Sequence, residues 1–284
     1  NVYYLIQEKH FNKRINVKKI DIEECRLVQM AILDEIAKIC KENNLHYYLA
    51  YGSLIGAVRH QGYIPWDDDM DICMMRDDYE KLIEILKTRK GNLPEWLTVL
   101  DDTSENFYHP FAKAIDNRTE VKMDRHKDKI GIWVDIFPLD GLSNSLFKAK
   151  IHFLICSFLR VVALAMTADF SAKTLDKWTL FYKRFFYIIA MIIGRKRVCR
   201  LIEKIFHFYK VKDSKYVGML FSAYLFKAIF EKDTLLPQKT YRFENREYMG
   251  FANYDVYLRQ QYGDYMTLPP EEKRITHNVE SWWK

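Results

Sequence analysis

Tyr51-Gly-Ser-Leu-Ile-Gly-Ala-Val-Arg-His-Gln-Gly-Tyr-Ile-Pro-Trp-Asp-Asp-Asp-Met-Asp-Ile72 decides the fold. The aromatic run His46 to Tyr51 that leads into it predicts a short strand. Gly52-Ser53 breaks that strand, and Leu54 to His60 predicts a short helix. Three of the ten glycines (Gly52, Gly56 and Gly62) fall in this stretch. In a glycine-poor chain, such clustering implies a backbone that turns tightly or approaches a ligand. Asp69 to Met74 predicts a second strand. Asp69 and Asp71 are two apart, so on a strand both carboxylates leave the same face. Two such carboxylates repel, and a divalent cation relieves the repulsion. Oxygen-only ligands suit Mg²⁺ or Mn²⁺, ions that also take phosphate oxygens.

The turn upstream completes the pattern. Backbone N–H groups opening a helix, with a Ser hydroxyl beside them, form a phosphate cradle. A Gly-Ser turn, a helix and then an Asp-x-Asp strand is the layout of a nucleotidyltransferase-like fold. That layout expects a third acid on a neighbouring strand. Gly131-Ile-Trp-Val-Asp-Ile-Phe-Pro-Leu-Asp140 offers Asp135, an acid between apolar Val134 and Ile136 that is costly to bury without a partner. Asp67 and Asp68 have three open readings: part of the metal site, a cap for the turn after Pro65, or exposed acids. Asp140 reads as a turn residue before Gly141.

The rest of the chain frames this core. Asp21 to Asn44 carries Ile22, Cys25, Val28, Ile32, Ile36 and Ile39 at helical spacing, with Asp21 and Glu24 placed as a capping box. Asp77 to Arg89 predicts a helix. Leu97 to Leu100, Phe111 to Ile115, Glu120 to Met123 and Ile130 to Phe137 predict strands. Beyond Gly141 the texture turns helical: Ile151 to Ala168, Trp178 to Ile193, Val198 to Tyr209 and Tyr216 to Phe230. Arg160 and Lys183-Arg184 interrupt the first two as membrane spans. Tyr241 to Gly250 predicts a hairpin, and Ala252 to Tyr262 a helix ended by Gly263. The expected fold is α+β, a nucleotidyltransferase-like mixed sheet core with a helical insertion. Residues 1–145 form the core, 146–235 a helical and basic subdomain, and 236–284 a segment that completes the core.

The chain has 284 residues, 49% of them hydrophobic and 29% charged, which excludes a disordered protein. The net charge of +6 sits entirely between Arg195 and Lys215, with eight basic and two acidic residues. A uniformly cationic nucleic-acid binder is therefore disfavoured, and no nucleic-acid partner is expected. Five scattered cysteines without a CxxC pair predict buried thiols in a reducing compartment. No secretory leader is expected from the residues present.

Tyr51 to Ile72 resembles the signature of the LicD/fukutin-related family. Arg76-Asp-Asp-Tyr-Glu-Lys-Leu82 and Val134-Asp-Ile-Phe-Pro-Leu-Asp140 fit its continuation, as do Tyr254 to Leu258, Gln261 to Met266, Leu268 to Pro270 and Arg274 to His277. The resemblance implies Mg²⁺ or Mn²⁺, a CDP-activated donor, transfer of a substituted phosphate to a sugar hydroxyl, and release of CMP. Similar bacterial members are mostly phosphocholine transferases for teichoic acid, capsule or lipopolysaccharide; others move ribitol phosphate or glycerol phosphate. Carried over by position, Gly52 and Ser53 hold donor phosphate, Asp69 and Asp71 ligate metal, and Asp135 is the third acid. The cysteine/histidine zinc element of some animal relatives is not present.

Other polar residues carry open readings. Arg59 binds donor phosphate or pairs with an Asp. His60 is a base or, better with a metal present, an ordinary polar residue. Lys113 is an inward phosphate contact, and Arg274 and His277 close over the site. A choline donor favours an aromatic cage; Tyr47, Tyr48, Tyr51, Tyr63, Trp66 and Trp133 are near enough in sequence to supply one, or simply pack the core. The helical region is ordinary core, or a surface that meets anionic lipid at the cytoplasmic face of the plasma membrane. The expected acceptor is a glycan or its lipid-linked precursor. A ribitol or glycerol donor, and a non-catalytic membrane-bound scaffold, are the competing readings.

Overall fold

The computed structural model describes residues 18–104, 107, 109–122, 130–167, 177–274 and 280–284. Its centre is a mixed sheet whose main path runs β2 (Tyr48–Leu49), β3 (Asp71–Met75), β7 (Trp133–Leu142), β5 (Ala112–Asp116) and β4 (Leu97–Leu100). β3 and β7 are parallel; the other neighbours on this path are antiparallel. A separate sheet joins β1 (Lys19–Ile20), β12 (Glu280–Trp283) and β6 (Thr119–Lys122), so the two ends of the described chain meet. β10 (Gln238–Phe243) and β11 (Arg246–Phe251) form the predicted hairpin. The architecture is the expected α+β, nucleotidyltransferase-like one.

Helix α1 (Ile22–Glu42) starts as its capping box predicts: Asp21 accepts the Glu24 N–H at 2.8 Å. Its stripe of Ile32, Leu33 and Ile36 is fully buried. Burial of such a stripe, more than propensity, holds a helix of this kind in place. Helix α2 (Tyr51–Arg59) starts earlier than the sequence pattern suggests, and β2 is correspondingly shorter. Gly52 and Ser53 lie inside its first turn, closed by Leu54 N–H to the Ala50 carbonyl at 3.1 Å, with Tyr51 at φ 45°. Helix α3 (Arg76–Thr88) follows β3 without a linker.

Helices α4 (Leu146–Thr167), α5 (Lys177–Ile193) and α6 (Arg195–Phe206) make the helical layer; α7 (Lys232–Leu235) and α8 (Tyr254–Tyr262) complete the set. Only one face of α4 is core: Ala149, Phe153, Cys156 and Ala163 are buried, while Phe147, Leu154 and Phe158 are exposed. α4 is long and apolar enough to cross a membrane, but half of its apolar window is buried inside the protein.

Two expectations are overturned here. Tyr216 to Phe230 is not helical: it forms β8 (Tyr216–Gly218), a short turn of 3₁₀ helix and β9 (Ile229–Glu231). β7 runs past its pairing with β3 at Leu139, and its last residues, Asp140 to Leu142, need new backbone partners. β8 supplies them, and β9 pairs with β8. Asp140 is likewise no turn residue. It lies within β7, 1% exposed, held by Arg76 Nε at 2.7 Å and by a second guanidinium nitrogen at 3.0 Å. All five cysteines are free and buried, as predicted.

Candidate active site

Sheet register assembles the acids. Asp71 on β3 sits opposite Asp135 on β7, and Asp135 sits opposite Lys113 on β5. Three consecutive strands thus present one row of carboxylate, carboxylate and ammonium. Lys113 Nζ donates to Asp135 Oδ1 at 2.5 Å, and Trp133 Nε1 donates to Asp135 Oδ2 at 3.0 Å. Lys113 therefore holds the third acid, where the sequence reading gave it a phosphate contact. Asp69 lies just before β3. After desolvation, its charge is the largest influence on Asp71, followed by Asp135 and Asp67. Burial and these three like charges push the Asp71 carboxyl well above the usual carboxylate range, with Lys113 opposing.

The acidic row meets the start of α2. Ser53 Oγ accepts the Asp71 N–H at 2.8 Å, and Ala50 N–H donates to the Asp71 carbonyl at 3.0 Å. The hydroxyl that was read as a phosphate ligand thus ties the helix start to the acid-bearing strand. Gly52 has a distinct reason for lacking a side chain: a Cβ there would collide with Asp67 Oδ2. The Asp67 carboxylate therefore lies against the positive end of α2. Gly56 is a packing glycine, where a Cβ would strike the Gly62 carbonyl.

A cradle that the sequence reading missed holds the acidic loop. Arg26 on α1 donates to the carbonyls of Ile64 (3.1 Å), Pro65 (3.0 Å) and Asp67 (2.8 Å). Gln29, one helical turn on, donates to the Asp68 carbonyl at 3.0 Å and accepts from Tyr63 Oη at 3.0 Å. The only sequence signal was an Arg and a Gln among the apolar residues of α1.

The remaining candidates divide. Arg59 donates to the Tyr265 carbonyl and to His60 Nε2. Burial, then the Arg59 charge, holds the His60 imidazole below its ordinary pKa, and its Nε2 is already taken as an acceptor. Arg274 stacks its guanidinium 4.7 Å from the Trp66 ring centre, bringing the C-terminal segment onto the signature loop. His277 lies outside the described residues. Of the proposed cage aromatics, Tyr47, Tyr48 and Tyr63 are buried in the core; Tyr48 stacks on Phe251 and Tyr63 packs edge-on to Phe243.

Tyr51 belongs to a different aromatic group. One step along the same sheet face as Asp135 and Lys113 stand Phe137 and Phe111, with ring centres 4.7 Å apart. Tyr51 meets Phe137 at 5.3 Å, Phe221 meets Phe111 at 5.3 Å, and Tyr224 stacks on Tyr51 at 6.0 Å. An aromatic wall therefore adjoins the acidic row.

Among the described residues, no three His, Cys, Asp or Glu side chains already enclose a metal ion. The donor chemistry nonetheless fits one. Burial and then the charges of Asp69, Asp135 and Asp67 raise the Asp71 pKa, and these acids outnumber Lys113, the cation among the main influences on it. Oxygen donors with excess negative charge suit a hard divalent ion.

The family model for the LicD/FKTN/FKRP nucleotidyltransferase domain matches residues 44–153, the span that holds every acid of this row. The lipopolysaccharide cholinephosphotransferase LicD of Haemophilus influenzae is 29% identical over 266 residues, covering 93% of this chain and 98% of the relative. Over residues 44–153 the chain is thus similar to the LicD/fukutin-related family. Two uncharacterized proteins, from Rickettsia prowazekii and Rickettsia typhi, are 39% and 38% identical to this chain over 71 residues. That stretch is 25% of the chain and 27% and 23% of the two relatives.

Proposed function

We propose that this LicD-type phosphotransferase moves phosphocholine from CDP-choline to a hydroxyl of a cell-surface glycan or its lipid-linked precursor, and releases CMP. The observation that carries the reading is the row of Asp71, Asp135 and Lys113, set by strand register at the start of α2. The near full-length similarity to a lipopolysaccharide cholinephosphotransferase supports the choice of group and acceptor.

Asp69, Asp71 and Asp135 would hold Mg²⁺ or Mn²⁺, which when bound neutralises the donor diphosphate and makes the acceptor hydroxyl more acidic. The first turn of α2 orients the donor phosphates through its backbone N–H groups. Gly52 leaves room beside that turn for the Asp67 carboxylate, and Ser53 fixes the turn relative to Asp71. Lys113 holds the Asp135 carboxylate in position and adds positive charge beside the phosphorus. The acceptor oxygen forms the new P–O bond as the bond to the CMP oxygen breaks. The wall of Tyr51, Phe111, Phe137 and Phe221 supports choline as the transferred alcohol, because a quaternary ammonium is attracted to aromatic faces.

The test supplies CDP-choline, Mg²⁺ or Mn²⁺ and a glycan acceptor, and measures CMP release. The expected result is turnover by the parent and loss in folded Asp71→Asn. Unchanged turnover in Asp71→Asn removes the site assignment. Turnover with CDP-ribitol or CDP-glycerol, and none with CDP-choline, removes choline.

A further inference from the structure

One face of helix α5 packs inward, with Phe186 against Phe158 of α4, and the other is uncovered. Trp178 and Ile192 are 81% and 80% exposed, Phe181, Phe185 and Ile188 are more than half exposed, and Ala190 is buried. The outer face of α4 adds Phe147, Leu154 and Phe158. Monomeric soluble proteins rarely leave contiguous apolar surface on this scale open to water.

Among the described residues, the charge bordering this surface is almost all of one sign. Among the described residues between Leu146 and Lys212, Glu203 is the single acid, and it faces inward between Arg76 and His207. Exposed Arg197, Arg200 and Lys204 line α6, and Lys210 and Lys212 follow. An apolar face bordered by cations matches an anionic bilayer surface, where apolar side chains enter the headgroup–acyl boundary and cations meet lipid phosphates. Length selects lying over crossing. The 17 residues of α5 reach about 25 Å, short of the ~30 Å hydrocarbon core. α4 would have to leave its buried contacts to cross. A second copy is a poorer occupant, because a two-fold interface would set this cationic border against itself.

The face also leads to the acidic row. Phe226, exposed beside α4, packs on Phe153 of that helix. Two residues earlier, Tyr224 stacks on Tyr51, and Phe221 packs on Phe111. We infer that α4 and α5 seat this protein on one leaflet of an anionic membrane, with α6 gripping lipid headgroups and the segment from Phe221 to Phe226 joining the seated face to the site.

The test is co-sedimentation with vesicles, with no dependence on donor or turnover. The parent is expected to sediment with phosphatidylglycerol–phosphatidylcholine vesicles and far less with phosphatidylcholine alone. Phe181→Ser/Ile188→Ser/Ile192→Ser lowers partitioning by at least about tenfold, since each side chain removed from the boundary gives up buried apolar area. Arg197→Gln/Arg200→Gln/Lys204→Gln leaves the apolar face intact and abolishes the preference for phosphatidylglycerol. Circular dichroism checks that each variant is folded. Equal sedimentation of parent and both variants overturns the inference. So does a dimer in sedimentation velocity that the apolar substitutions dissociate while the parent ignores vesicles.

Discussion

Arg76→Met is the sharpest test of how the sheet is held. The substitution keeps most of the side-chain length and removes the guanidinium. Asp140 then loses two charge-assisted hydrogen bonds, at 2.7 and 3.0 Å, at a site where the two side chains are 8% and 1% exposed. Each such bond contributes about 1.5–3 kcal/mol, and breaking a buried pair costs about 3–5 kcal/mol because one charge is left behind. Domains of ordinary stability have about 5–15 kcal/mol in total, so the loss is a large fraction. The penalty has a pH signature. Burial already raises the Asp140 pKa, and Arg76 opposes that rise. Without Arg76 the folded-state pKa climbs further above the unfolded value. A group with a raised folded pKa favours the fold when protonated and loses that advantage as pH rises through the folded pKa. The cost of Arg76→Met is therefore smallest in mild acid and largest at neutral pH and above. Urea unfolding followed by tryptophan fluorescence at several pH values reads it. Arg76→Met/Asp140→Leu recovers most of the loss, since the buried pair is removed whole and Glu203 keeps its contact with His207. A single-variant loss below about 1 kcal/mol, or a double variant no more stable than the single, refutes the reasoning.

Gly52→Ala is expected to fold with a stability change within about 1 kcal/mol, because the carboxylate it meets is the mobile end of Asp67. Its donor kcat/KM falls about tenfold or more, as the Asp67 carboxylate beside the start of α2 is displaced; steady-state kinetics with varied CDP-choline checks this. Arg26→Met frees three loop carbonyls and costs about 2 kcal/mol in denaturant titration, with a higher donor KM. Asp102 is pushed up to about 6 by burial and then by Glu203 and Asp101. Its favourable effect on the fold is present below pH 4 and is lost as pH rises through 6, so Asp102→Asn raises Tm at pH 7.5 and not at pH 4.

Elements that carry their own signal were legible in the sequence. The α1 stripe and its Asp21 cap, the hairpin from Gln238 to Phe251 and the helix ended by Gly263 are each encoded within a few residues. Asp71 and Asp135 were legible from their apolar strands, whereas the strand expected to begin at Asp69 begins at Asp71, so Asp69 reaches Asp71 from the loop before β3 rather than by alternation. What required long-range pairing was not legible. Tyr216 to Phe230 has a helix-compatible apolar pattern, and only the unpaired end of β7 makes it strand. Asp140 looks like a turn residue until Arg76, 64 positions earlier, is placed against it. Lys113 was read towards phosphate because nothing local says that it faces Asp135 across β5 and β7. The aromatic wall escaped for the same reason: Phe221 and Tyr224 come from a segment far in sequence from Tyr51 and Phe111.

β7 also sets a limit on how this chain can drift. Asp135 and Asp140 are five residues apart, an odd separation, so alternation sends them to opposite faces of one strand. One reaches Lys113 on the site face, and the other reaches Arg76 at the start of α3. Between them the strand must keep its count. Deleting or adding one residue there saves one acid's partner only by turning the other acid to the wrong side. The apolar side chains of Val134, Ile136 and Leu139 can be exchanged for others of similar volume, but the length of that run cannot change without losing either the acidic row or the buried ion pair.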